Sequence, residues 1–90
     1  MLKCEVKIIN RLGLHARAAA QLVRLASGFQ SKIILKRADN LVNADAKSIL
    51  SVLTLAAAKG TKLDVEIEGN DEKAALAAVE KIFKDGFGEL

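Results

Sequence analysis

Asn10-Arg11-Leu12-Gly13-Leu14-His15-Ala16-Arg17-Ala18-Ala19-Ala20 joins two different hydrophobic periods. Before it, Leu2, Cys4, Val6 and Ile8 alternate with Lys3, Glu5 and Lys7, the period of a half-buried strand. After it, Ala19, Leu22, Val23 and Ala26 recur at the i, i+3, i+4, i+7 spacing of one helix face, within a run of good helix formers from Ala16 to about Ser27. The junction therefore reads as strand, loop, helix, and Gly13 lets the loop take backbone angles closed to other residues. His15, the only histidine of the chain, falls at or just before the first helical turn. The free N–H groups of a helix start and the positive end of its dipole favour a bound or transferred anion. Arg17 adds a planar fork of donors that matches phosphate oxygens. A neutral imidazole nitrogen is a nucleophile near pH 7. Together these make a site for phosphoryl transfer, against the plainer alternative that a lone histidine is a surface or capping residue.

Working outward, Gly28 reads as the C′ residue that ends the first helix, with Phe29 packing back on its last turn. Residues 31–37 form a second strand and Ala38-Asp39-Asn40 a turn, since Asp and Asn tolerate left-handed angles and bond their own backbone. A short third strand at 41–43 would pair with the second as a hairpin. After a polar connector, a second helix runs from Lys47 or Ser48 to Leu55, its apolar positions Ile49, Val52, Leu53 and Leu55, with Gly60 at the exit. Residues 61–68 alternate cleanly as a strand. Asn70 or Asp71 caps a third helix whose inner stripe is Ala75, Leu76, Val79, Ile82 and Phe83, stopped by Gly86. The order is β-α-β-β-α-β-α. Every clear strand is apolar on one face only, which argues for an α+β fold: one open, largely antiparallel sheet with all three helices on one side.

Ninety residues, 51% of them hydrophobic, read as a single domain over 1–90 with a modest core and no linker. No apolar run approaches the ~20 residues of a membrane span, and Lys3 and Glu5 are charged too early for a secretory signal, so a cytoplasmic protein without membrane insertion is expected. The lone Cys4 has no disulfide or metal partner and reads as a small buried hydrophobe, so no metal is expected. A net charge of +3 with no Trp or Tyr does not suit a nucleic-acid surface. Arg11, Arg17, Arg24 and Lys47, expected near the site of His15, instead have the charge to steer an acidic protein partner, or form an ordinary mixed-charge surface. With no P-loop and no G-x-G-x-x-G, no nucleotide and no other cofactor is expected.

Ser48, at the start of the second helix, is on its own most simply an N-cap. Yet Ala46-Lys47-Ser48-Ile49-Leu50 resembles the regulatory-serine motif of the HPr family, the histidine-containing phosphocarriers of the bacterial phosphoenolpyruvate-dependent sugar phosphotransferase system. Gly13-Leu14-His15-Ala16-Arg17 resembles the active-site motif of the same family, and the likeness extends from Lys3 to about Phe87. It implies an open-faced β-sandwich of four strands and three helices. It implies a phosphoryl group carried on Nδ1 of His15, with Arg17 balancing its charge, received from Enzyme I and passed to EIIA-type proteins. Such a carrier is consumed and regenerated rather than acting as a true enzyme. The resemblance also implies a regulatory phosphorylation at Ser48 by an HPr kinase in some bacteria. The implied partner patch comprises Ala20, Arg24, Lys47, Ile49, Leu50 and Leu53, with Ile49 and Leu50 expected to be exposed; the alternative is that Ile49, Leu50 and Leu53 are all core. Nothing suggests more than a monomer.

One departure stands out: the family usually has proline after the arginine, where this chain has Ala18. Together with the ending Phe83-Lys84-Asp85-Gly86-Phe87, it keeps open the nitrogen-related paralogue with a regulatory readout. A binding-only module of the same fold is the other alternative.

Overall fold

A computed structural model describes residues 1–89 of the chain. The elements follow as β1 (Leu2–Lys7), α1 (Ala16–Ser27), β2 (Lys32–Arg37), β3 (Asn43–Asp45), α2 (Ile49–Leu53), β4 (Lys62–Glu68) and α3 (Glu72–Lys84). The strands lie in the order β1-β4-β2-β3, and every neighbouring pair is antiparallel. The α+β, open-faced sheet expected from one-faced strands is the observed fold.

The period-2 patterns are realised as rows across the sheet. Cys4 faces Val65, which faces Leu35, which faces Ala44. Val65, Leu35 and Ala44 are buried against the helices. Ile33 and Ile67 form a parallel row, also buried. The opposite face is charged, and Glu66 there bridges Lys36 at 3.0 Å and Lys3 at 3.9 Å. α1 buries Ala18, Ala19, Leu22 and Ala26. Three of these four are alanines, so little side-chain volume separates α1 from the layer beneath. α3 buries Ala75, Val79 and Phe83. Cys4 is half-buried and packs on this core. Burial, then the Glu80 carboxylate, raises its pKa to about 11, so the thiol is protonated and unreactive at neutral pH.

Four local expectations are corrected. The third strand is Asn43–Asp45, not 41–43. Leu41 takes a left-handed φ of 60°, its N–H bonds the Arg37 carbonyl, and the Val42 N–H bonds the Asn40 side chain; the turn thereby consumes two residues more. The second helix ends at Leu53 instead of Leu55, because Ala56 turns left-handed at φ 48°. Gly28 is the C-cap in an ordinary right-handed conformation (φ −77°) rather than a left-handed C′ residue. Asp71 occupies the N-cap position of α3 but does not cap it. Its carboxylate instead accepts from the N–H groups of Gln30 and Ser31 and from the Ser31 hydroxyl, pinning the start of β2. Those bonds, the Ser31 hydroxyl foremost, hold the Asp71 carboxyl below its ordinary value.

Candidate active site

The loop between β1 and α1 is held at three points. Gly13 has φ 68°, and its backbone lies so close to the 57–58 peptide that a Cβ would stand 2.5 Å from the Ala57 carbonyl oxygen. The Leu14 N–H bonds that same carbonyl at 2.9 Å. Asn10, fully buried, donates from Nδ2 to the Gly13 carbonyl at 2.8 Å.

This loop sets His15 as the N-cap of α1, with extended backbone (φ −74°, ψ −179°). The ring itself does the capping: the Arg17 N–H donates to Nδ1 at 3.3 Å. An accepting Nδ1 carries no proton, so the neutral ring bears its hydrogen on Nε2. Nε2 lies 2.8 Å and 3.0 Å from the two carboxylate oxygens of Glu89. Glu89 Oε1 also accepts from Asn10 Nδ2 at 3.0 Å. The His15 bond, then the Asn10 bond, with the charges of His15 and Arg17 assisting, hold the Glu89 carboxyl below its ordinary value against the opposing effect of burial.

Glu89 reaches the ring through an unusual turn. Gly86, Phe87 and Gly88 have φ of 60°, 55° and 74°. A phenylalanine in that region costs about 1–2 kcal/mol. Phe87 is kept there by burial and by an edge-to-face contact with Phe83 at 5.0 Å between ring centroids. Beside the ring, Arg11, Leu12, Arg17, Gly88 and Glu89 line an open polar pocket of about 350 Å³. The His15 side chain is 26% exposed, so one edge of the ring is reachable from solvent. A nucleophilic nitrogen, a free helix start and two arginines at a pocket of this size suit a transferred phosphoryl group.

Residues 2–85 match the family model described as the PTS HPr component phosphorylation site. The chain is 46% identical to the phosphocarrier protein HPr of Treponema pallidum (strain Nichols), over 93% of each sequence. It is 43% identical to the phosphocarrier protein NPr of Escherichia coli (strain K12), over 97% of this chain and 96% of that one. The crystal structure of HPr-C-His from Thermoanaerobacter tengcongensis superimposes with a TM-score of 0.92 at 34% identity, covering 100% of this chain and 99% of the other. The chain belongs to the HPr family.

Within this HPr-type fold the residues singled out in sequence fall in two places. His15 and Arg17 meet at the start of α1, with Arg11 at the same pocket. Ser48 is the N-cap of α2, its hydroxyl accepting from the Ser51 N–H at 3.3 Å. Ile49, Leu50 and Leu53 are 39%, 75% and 38% exposed, so the alternative that all three are core is excluded. Val52 and Leu55 supply the buried contacts of that segment instead. Ala20 is half-buried and Arg24 exposed, one turn apart on α1. Lys47 does not belong with the pocket. Its ammonium bonds the Phe29 carbonyl just beyond the far end of α1, and twelve helical residues span about 18 Å.

Ala18 is buried on the first turn of α1, among the N–H groups that precede the first helical bond, Ala19 N–H to the His15 carbonyl. The family proline at this place would therefore forfeit no helical hydrogen bond. Two residues of the site were not legible beforehand. Asn10 lies in the opening stretch but shows its role only through partners, and Glu89 carries no local signal at all. Among the described residues no helix is long and apolar enough to cross a membrane, and no group of His, Cys, Asp or Glu is arranged to hold a metal ion.

Proposed function

We propose that the chain is a cytoplasmic, monomeric phosphocarrier that accepts a phosphoryl group on Nδ1 of His15 from phosphorylated Enzyme I and delivers it to EIIA-type proteins. The observation that carries this reading is the capping geometry: Nδ1 holds a lone pair at the start of α1, against the Arg17 N–H. When phosphorus bonds to Nδ1, that N–H and its neighbours are free to donate to the phosphoryl oxygens. Catalysis is then positioning and charge stabilisation, with no base required, since the acceptor nitrogen has no proton to lose. Incubation with phosphoenolpyruvate and Enzyme I is expected to add one acid-labile, alkali-stable phosphoryl group. A folded protein that stays unlabelled with both sugar-type and nitrogen-type Enzyme I would leave only the binding-module reading.

Arg17 stabilises the charge of the moving group. Arg17→Ala is expected to lower kcat/KM for transfer by about 10²-fold, the scale of losing one preorganised donor, with Arg17→Lys recovering part of it. Equal rates for all three proteins would remove Arg17 from the reading.

The exposed Ile49, Leu50 and Leu53 of α2, with Ala20 and Arg24 of the adjoining α1, form the partner-docking surface in this reading; Lys47 lies at its edge. Ser48 is the regulatory site, modified by an HPr kinase where the organism has one. A phosphate at this N-cap is compatible with the local backbone but adds negative charge where an acidic partner approaches. Ser48→Asp is expected to slow phosphorylation of His15 several-fold through KM, and an unchanged KM would count against that role.

Similarity to an NPr nearly as high as to HPr sequences supports the nitrogen-related branch as the second reading. Side-by-side transfer to sugar-type and nitrogen-type EIIA proteins separates the two branches.

A further inference from the structure

We propose that Glu89 is a positioning residue for the acceptor ring: its carboxylate, fixed by the Asn10 amide, holds His15 as the Nε2–H tautomer and balances the positive charge the ring gains when Nδ1 is phosphorylated. The inference rests on the reading of His15 as phosphoryl acceptor.

Both ring nitrogens are specified at once. Nδ1 accepts from the Arg17 N–H and Nε2 donates to Glu89, so the two contacts demand the same tautomer. The carboxylate is itself built in. Asn10 is fully buried, and its Nδ2 faces two acceptors, the Gly13 carbonyl and Glu89 Oε1. A flipped amide would set oxygen against both, so the network admits one orientation. Phe87, buried in a left-handed conformation between two left-handed glycines, anchors the turn that delivers Glu89. Strain retained by tertiary packing is a mark of a site that needs its geometry.

The charge on the ring follows from the balance of the step. The bond from phosphorus to the donor's nucleophilic atom breaks as the bond to Nδ1 forms. The donor atom keeps the electron pair. No proton moves, so the ring, still bearing hydrogen on Nε2, becomes a cation. A carboxylate 2.8 Å from that nitrogen stabilises the cation, while Arg17 is left to the phosphoryl oxygens. On delivery the P–Nδ1 bond breaks and the ring returns to neutral. Glu89 therefore favours the phosphorylated carrier and sets how the phosphoryl group is shared with its donor and acceptor.

The test compares full-length wild type, Glu89→Gln and Glu89→Ala. Ring 1H–15N correlation spectra are recorded at a pH above which the ring nitrogen shifts no longer change. Wild type and Glu89→Gln are expected to show one tautomer, Nε2–H, because the glutamine oxygen still accepts. Glu89→Ala is expected to show a mixture. In phosphoryl exchange with Enzyme I, both variants are expected to hold an about tenfold smaller share at equilibrium. A pure Nε2–H tautomer in Glu89→Ala, or an equilibrium share equal to that of wild type in both variants, would overturn the proposal. A wild type that shows the tautomer yet never takes up phosphate would overturn the acceptor reading instead, and with it the charge half of this one.

Discussion

His15→Ala is expected to leave a folded protein that takes up no phosphoryl group. The loss is complete because the start of α1 offers no second nucleophile: Ala16, Arg17 and Ala18 follow, and the hydroxyl of Ser48 lies on another helix. The structural cost is small by comparison. The variant gives up the capping bond to the Arg17 N–H, worth about 0.5–2 kcal/mol, and the ring's hydrogen bond to the Glu89 carboxylate, at a partly exposed position. Two-state unfolding and a phosphoenolpyruvate-driven labelling assay on the same sample separate the two effects. Labelling of the alanine variant at even a few per cent of the wild-type level would place the acceptor elsewhere.

Gly13→Ala is expected to cost about 2–4 kcal/mol and to slow transfer with it. The methyl group would have to share space with the Ala57 carbonyl at 2.5 Å and the Ala58 Cα at 2.9 Å. Both are backbone atoms, which cannot rotate away. The left-handed backbone adds about 1–2 kcal/mol on its own. Relief requires lifting the loop from the 57–58 segment, which breaks the Leu14 N–H to Ala57 bond and shifts His15 from its cap. At 4–8 °C per kcal/mol for a domain of this size, the melting temperature should fall by roughly 8–32 °C. Gly60→Ala is the built-in control. Gly60 is also left-handed, at φ 93°, but nothing lies within 4 Å of the added Cβ, so only the backbone cost of about 1–2 kcal/mol applies. Equal melting temperatures for the two variants would mean that the close approach at Gly13 is not what holds the loop.

Much of this was legible in the sequence because it is local. A strand period meets a helix period on either side of Gly13 and His15, and a cap with its helix start needs only neighbouring residues. The sheet was legible because each strand announces a single apolar face. What escaped was carried by contacts between distant residues or by backbone angles that composition does not reveal. Leu41 and Ala56 adopt left-handed angles with no glycine to signal them, and these moved the third strand and shortened α2. Asp71 has the residue type and place of an N-cap but is claimed by Ser31, 40 residues away. Lys47 sits beside Ser48 in sequence, yet its charge is spent at Phe29. Glu89 lies 74 residues from His15 and reaches it only because Phe87 turns left-handed on Phe83. No spacing rule connects those positions, so His15 and Arg17 could be read early, whereas the carboxylate behind the ring could not.

The most direct test is to find which ring nitrogen carries the phosphoryl group. Uniformly 15N-labelled protein would be phosphorylated with phosphoenolpyruvate and Enzyme I, and the phosphorus–nitrogen coupling in the His15 ring recorded. Phosphorus is expected on Nδ1 and hydrogen on Nε2. Phosphorus on Nε2, the nitrogen that faces Glu89, or on any residue other than His15, would contradict it.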